Sequence, residues 1–207
     1  MLDFVLMIVF AVAPAIILHE YAHGWVAYRL GDPTAKRMGR LTLNPIKHVD
    51  LVGSIIVPGA LFLVHYLGLT KSLLLFGWAK PVPVNFGALR NPRLGMILVA
   101  LAGPLTNVAL AFLLSKLYLW PALASFSHVL GWAVLFNLML AVFNMMPIPP
   151  LDGSRVVMGL LPPKLAVEYS RIEPFGFIIV IVLLQLGMLK FLYPAISVLA
   201  SWIGVQL

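Results

Sequence analysis

His19-Glu20-Tyr21-Ala22-His23 sets two imidazoles four residues apart with a carboxylate between them. On a helix, residues four apart share one face. Two imidazoles so placed can bind one metal ion. Zinc favours nitrogen ligands and, when catalytic, leaves a position for water. Glu20 then stands where a base can take a proton from that water. The setting is unusual for hydrolysis, because Phe4 to Leu18 carries no charge and no strongly polar side chain. Ionisable groups in an apolar helix are costly, and mark a functional site by default.

Two histidines leave zinc short of a third protein ligand. The chain has no cysteine, so the ligand set must be histidine and carboxylate. Asp3, Asp32, Asp50, Glu168 and Glu173 fall at predicted helix ends or loops. Asp152 differs. It follows Asn144-Met145-Met146-Pro147-Ile148-Pro149-Pro150-Leu151, whose prolines must break the apolar helix before them. The broken backbone can hold Asp152 near membrane depth as a ligand. Equally, Asp152 can cap a helix starting at Ser154. Gly103-Pro104-Leu105-Thr106-Asn107 interrupts another apolar run, among the small residues Ala100, Ala102, Ala109 and Ala111. Asn107 reads either as packing glue between close helices or as a hydrogen-bonding group for the site or its substrate. His48 and Asp50 form a further polar pair beside a membrane entry.

The elements that must position these groups are membrane segments. Of 207 residues, 62% are hydrophobic and 10% charged, and mean hydropathy is +1.03. Soluble domains carry about 25% charged residues. The composition therefore predicts an all-α polytopic membrane protein, one integral-membrane domain over 1–207. Its core would cover 1–160 and its C-terminal helices 173–207, with about four to six membrane segments in all. The net charge of +7 does not point to nucleic acid, because the basic residues lie between apolar runs, where topology signals belong.

The first span is predicted over Leu2–Leu30, bent at Pro14. Its start lacks the positive charge of a cleaved signal, so it reads as a retained span. Arg29, Lys36, Arg37, Arg40 and Lys47 follow and place that end, with the histidines, toward the cytoplasm. Leu51–Leu69 is interrupted by Pro58-Gly59 and reads as re-entrant or broken. Trp78–Phe86 holds Pro81 and Pro83 and cannot be a helix. A short re-entrant or β-hairpin segment is expected near 70–90. Leu94–Trp120, Val129–Met146 and Phe175–Leu192 are further spans. Phe191–Leu207 either extends the last or starts anew after Pro194.

HEYAH, GPLTN and N-M-M-P-I-P-P-L-D-G occur in that order on three predicted helices. They resemble the HExxH, GPxxN and NxxPxPxLDG patterns of the site-2 proteases, which are intramembrane zinc metalloproteases. GWAKPVPVN resembles a segment of the small members, and the likeness covers roughly Leu18 to Leu160. It implies one zinc ion per chain held by His19, His23 and Asp152, with Glu20 as general base. It implies that Asn107 and Asn144 bind substrate or support the site. It also implies membrane-anchored protein substrates and a prokaryotic cell membrane. Against larger members, the sequence is expected to lack a PDZ domain or CBS pair and a span before the HExxH helix. Leu51–Leu69 also separates HExxH from GPLTN more widely than in the shortest members. Two rivals use the same residues: a zinc-binding membrane transporter, and an inactive relative that binds membrane proteins. Transport does not need the glutamate between the histidines, and an inactive relative would not need it intact.

Overall fold

Helices follow the apolar runs, and prolines and glycines decide how each begins and ends. The computed structural model describes residues 7–69, 77–187 and 189–205. Helix α1 (Ile8–Arg29) is wound as a π-helix over Ile8–Val12 and as an α-helix from Ala13. Helix α2 (Leu51–Tyr66) repeats the pattern, with π winding over Leu51–Ile56. Each π stretch ends two residues before a proline, Pro14 or Pro58. A proline cannot donate to the carbonyl four residues back, and its ring clashes there; the wider turn relieves both faults. The disturbance expected at Pro14 thus takes the form of a changed winding.

Helix α3 (Pro92–Tyr118) starts at Asn91, whose side chain accepts from the Leu94 N–H. Next come α4 (Ser127–Asn144), α5 (Asp152–Leu160), α6 (Pro163–Ser170), α7 (Glu173–Gln185) and α8 (Leu189–Trp202). Helices α1 and α3, and the continuous run Pro121–Asn144 that ends in α4, are long and apolar enough to cross a membrane. The pair α7–α8, bent by 85°, adds a fourth span if taken as one broken span. The protein is an all-α membrane protein, with three or four such spans among the described residues.

The chain leaves α7 at Gly187, whose φ is +82°. A left-handed residue ends the helix, and the Gly187 N–H turns back to the Leu184 carbonyl. Of the two readings left open for Phe191–Leu207, the chain does start anew, but the break falls before Pro194, which lies inside α8. Helix α2 has six π-helical and ten α-helical residues, about 24 Å in all, against roughly 30 Å of hydrocarbon. That length suits a re-entrant or broken element.

Helix α3 is the hub, packed on α1, α4 and α5. Gly95, Ala100, Gly103 and Ala111 are buried along it, and their small side chains let the neighbours come close. Ala111, with Val134 and Leu138 of α4 and Ile196 and Ala200 of α8, forms the larger apolar core. Leu105, Phe112 and Leu113 face outward, as a bilayer-solvated surface requires.

Residues 77–85 form a strap that is neither helix nor strand. Its N–H groups go to separate places: Trp78 to the Gly53 carbonyl, Lys80 to the His48 carbonyl, Val82 to Glu20 and Asn85 to Asp32. Pro81 and Pro83 have none to give. No hairpin forms among the described residues, and the remainder of the expected re-entrant stretch, 70–76, lies outside them.

Asp32 is fully buried in the loop after α1. It accepts from the Thr34 N–H (2.9 Å), the Thr34 hydroxyl (2.5 Å) and the Asn85 N–H (2.6 Å). Burial pushes its carboxyl up, but these donors pull harder, so it titrates below its ordinary value. A folded-state pKa below the unfolded one gives stability that is complete above the unfolded value and is lost as pH falls through the folded one. Asp32→Asn should cost about 1–3 kcal/mol at neutral pH and flatten the loss of stability below about pH 4. Thermal melts across that range check it, and an unchanged acid limb would count against the assignment.

Candidate active site

Helix α1 delivers His19, Glu20 and His23, and the first residue of α5 delivers Asp152. Leu151, not Asp152, holds the N-cap position of α5, and no side chain caps it. The two imidazoles are buried against Gly103 of α3. Their Nε2 atoms lie 3.0 Å apart. Asp152 Oδ2 is 3.1 Å from the His19 Nε2 and 3.3 Å from the His23 Nε2. The prolines after α4 make this meeting possible, since a continuous helix would carry Asp152 away. Gly153 completes the turn, because a Cβ there would run into the Met145 and Met146 carbonyls.

The second nitrogen of each ring is committed. His23 Nδ1 donates to the Val99 carbonyl at 2.7 Å. His19 Nδ1 meets Asn107 Oδ1 at 2.5 Å. The Asn107 amide nitrogen donates to the Ala15 carbonyl (3.1 Å) and to Asn137 Oδ1 (2.8 Å), which turns its oxygen toward His19. Asn137 in turn donates to the Ala133 carbonyl. Both rings therefore carry their proton on Nδ1 and present a bare Nε2 lone pair to the cluster.

In the neutral rings two imidazole lone pairs and a carboxylate oxygen thus face one another, and Asp152 Oδ2, in reach of both Nε2 atoms, is buried with no other partner. Only positive charge can hold such a triangle together. Its edges, 3.0–3.3 Å, match the separation of about 3.3 Å between ligands on a tetrahedral zinc ion with 2.0–2.1 Å bonds. The donor set fits zinc. A Cβ at Gly103 would lie 2.6 Å from the His19 Nε2 and nearer still to that of His23. Gly103→Ala should displace both rings and weaken zinc binding by about 10–100-fold. Competition with a chelating dye measures this, and wild-type affinity would refute it.

A cavity of about 630 Å³ opens beside the cluster. Ile16, Trp78, Val84, Phe143 and Phe177 give it apolar walls, and Glu20, Asn144, Asp152 and Arg155 supply its polar ones. Glu20 Oε2 accepts from the Val82 N–H at 2.8 Å, so the strap crosses the site. Asn144 donates to the Leu140 carbonyl of its own helix and faces the cavity apart from the cluster. The structure brings His19, Glu20, His23, Asn107 and Asp152 together and leaves Asn144 on the cavity wall. His48 donates to the Thr42 carbonyl, and Asp50 caps α2 through the Gly53 N–H, so this pair braces a loop. Arg155 pairs with Glu173 and links α5 to α7. Asn137 was not anticipated. Its one signal is a second amide on α4, seven residues before Asn144 and on the same face.

An HExxH pair on a helix long and apolar enough to cross a membrane, met by a distant carboxylate from the short α5 to form a donor set that fits a metal, points to the class of membrane-embedded metalloproteases. Comparison with known proteins narrows it. The model for Peptidase family M50 matches residues 118–186. YwhC of Bacillus subtilis is 43% identical over 177 residues, covering 80% of this chain and 74% of that protein. Rip2 of Mycolicibacterium smegmatis is 30% identical, covering 82% of this chain and 63% of its own length. MJ0611 of Methanocaldococcus jannaschii is 34% identical, with 71% and 66% covered. All three are named, provisionally, as zinc metalloproteases. No solved structure matches. The chain belongs to peptidase family M50, the site-2 protease family of zinc metalloproteases.

Proposed function

We propose that the protein hydrolyses peptide bonds in or near the spans of membrane-anchored proteins, using one zinc ion held by His19, His23 and Asp152. The observation that carries the reading is the triangle of three buried acceptors, which positive charge must close. When bound, the ion would supply Lewis acidity toward the scissile carbonyl and would lower the pKa of a water molecule. Glu20 takes the proton from that water and delivers it to the leaving nitrogen. Asn107 and the Val99 carbonyl fix the imidazole tautomers and ring planes. Asn144, on the cavity wall, is placed to meet the substrate backbone. The cavity admits water beside an otherwise apolar bundle, and a substrate helix must unwind locally to present a carbonyl there. The strap, which borders the cavity, would be the segment for the unwound substrate backbone to pair with.

Arg29 at the end of α1 and Lys36, Arg37 and Lys47 after it are exposed, which supports a cytoplasmic position for that end and for the site. Arg40 is buried and drops out of this count. The partners of this reading are the bilayer and a single-span protein, not nucleic acid. Membrane-protein fragments from cells making wild type or Glu20→Gln test it. Fragments that end inside a span and vanish with the variant support the proposal; identical fragment sets sink it.

A further inference from the structure

Outside the histidine–carboxylate cluster, the buried charged side chains among the described residues are Asp32 and Arg40. Both lie in the loop after α1, and neither is ion-paired there. Burying charge is costly unless hydrogen bonds replace the lost water. Asp32 takes two of its bonds from Thr34, but its other oxygen and the Arg40 guanidinium both reach the same strap. Arg40 Nη2 donates to the Lys80 carbonyl at 2.6 Å and to the Pro81 carbonyl at 3.3 Å. Asp32 Oδ2 accepts from the Asn85 N–H at 2.6 Å. Between the two clamps lies Val82, buried, its N–H on Glu20 Oε2 at 2.8 Å. Pro81 and Pro83 flank it, carry no N–H, and keep the residues before them extended. Val82 is therefore the sole backbone donor between Lys80 and Val84.

We propose that Arg40 and Asp32 are positioning residues for Glu20: they clamp the strap on both sides of Val82, whose N–H fixes Oε2 and leaves Oε1 for the reacting water. The inference rests on the role proposed above for Glu20. The loop leaving the HExxH helix thus reaches back, through the strap, to that helix's own carboxylate. A base held by one oxygen keeps the other aligned through the reaction, which acts on kcat more than on binding.

The test compares wild type, Arg40→Ala, Arg40→Lys and Asp32→Asn as full chains in detergent micelles. One readout is cleavage of a fluorescent single-span reporter carrying a span found by the fragment comparison. The other is hydrogen exchange at the Val82 amide, simple to resolve because its neighbours are prolines. Arg40→Ala should lower kcat about tenfold or more, with KM changed less than about threefold, and Val82 should exchange at least about tenfold faster. Arg40→Lys should recover both in part, because a single nitrogen makes both bonds and an ammonium can do the same. Asp32→Asn repeats the test from the other clamp, and decides it if Arg40→Ala does not fold. Wild-type kcat in these variants overturns the proposal. So does a lost kcat with Val82 still protected, or a raised KM at unchanged kcat. If wild type cleaves no reporter, the protease reading fails, and exchange at Val82 alone decides the clamp.

Discussion

Glu20→Gln should lower peptide hydrolysis by about 10²–10⁴-fold while zinc content stays at one ion per chain. The substitution is nearly isosteric. Its amide oxygen can still accept the Val82 N–H that Glu20 Oε2 accepts at 2.8 Å, so the strap keeps its anchor. What disappears is the capacity to take a proton from water and return it to the leaving nitrogen. The histidines and Asp152 are untouched, so metal binding should hold. Purified wild type and variant, loaded with zinc and given the same single-span reporter, measure the ratio directly. A transport reading makes the opposite forecast, because a site that only passes zinc does not need this proton carrier. Cleavage persisting in Glu20→Gln removes Glu20 from catalysis. Zinc flux across vesicles at equal rates in both proteins, without cleavage, replaces the protease reading with transport.

The grouping of the candidate site was legible in the sequence because ionisable residues are scarce in an apolar chain. His19, Glu20 and His23 stood out on one predicted helix, and Asp152 was the one acid behind a proline-broken helix. Spans also followed from apolar runs, to within a few residues of α3 and α4. What stayed hidden depends on tertiary contact. Asp32 and Arg40 look like ordinary loop charges, since a sequence gives no reason to bury them. Their burial comes with a strap 40 and 53 residues later, whose backbone supplies partners to both. Asn137 looked like one amide in an apolar helix, and its bond to Asn107 joins α4 to α3. The last span, read as running to Leu192, ends at Gln185, because an apolar run does not show where a glycine turns left-handed. A left-handed Gly187 stops the chain more completely than Pro194, which removes a single bond from α8.

Asp152 offers the sharpest test of the metal site, because two substitutions at one atom give different answers. Asp152→Ala should weaken zinc binding by more than the roughly 10–100-fold typical of an outer-shell loss, and should abolish hydrolysis. Taken alone, that result is open to a folding explanation. Asp152→Asn separates the two. The carboxylate offers acceptors to two bare Nε2 atoms at 3.1 and 3.3 Å, whereas an amide nitrogen offers two donors in the same place. The metal-free variant should therefore stay folded, its triangle closed by hydrogen bonds instead of an ion. Wild type should gain about 4 kcal/mol of stability when free zinc exceeds its dissociation constant a thousandfold, and Asp152→Asn should gain almost none. Thermal melts with and without zinc distinguish the outcomes. An Asp152→Asn protein that binds zinc and cleaves substrate as wild type does would mean that the third ligand lies elsewhere. A variant that melts far below metal-free wild type would mean that Asp152 holds α5 in place through some other contact.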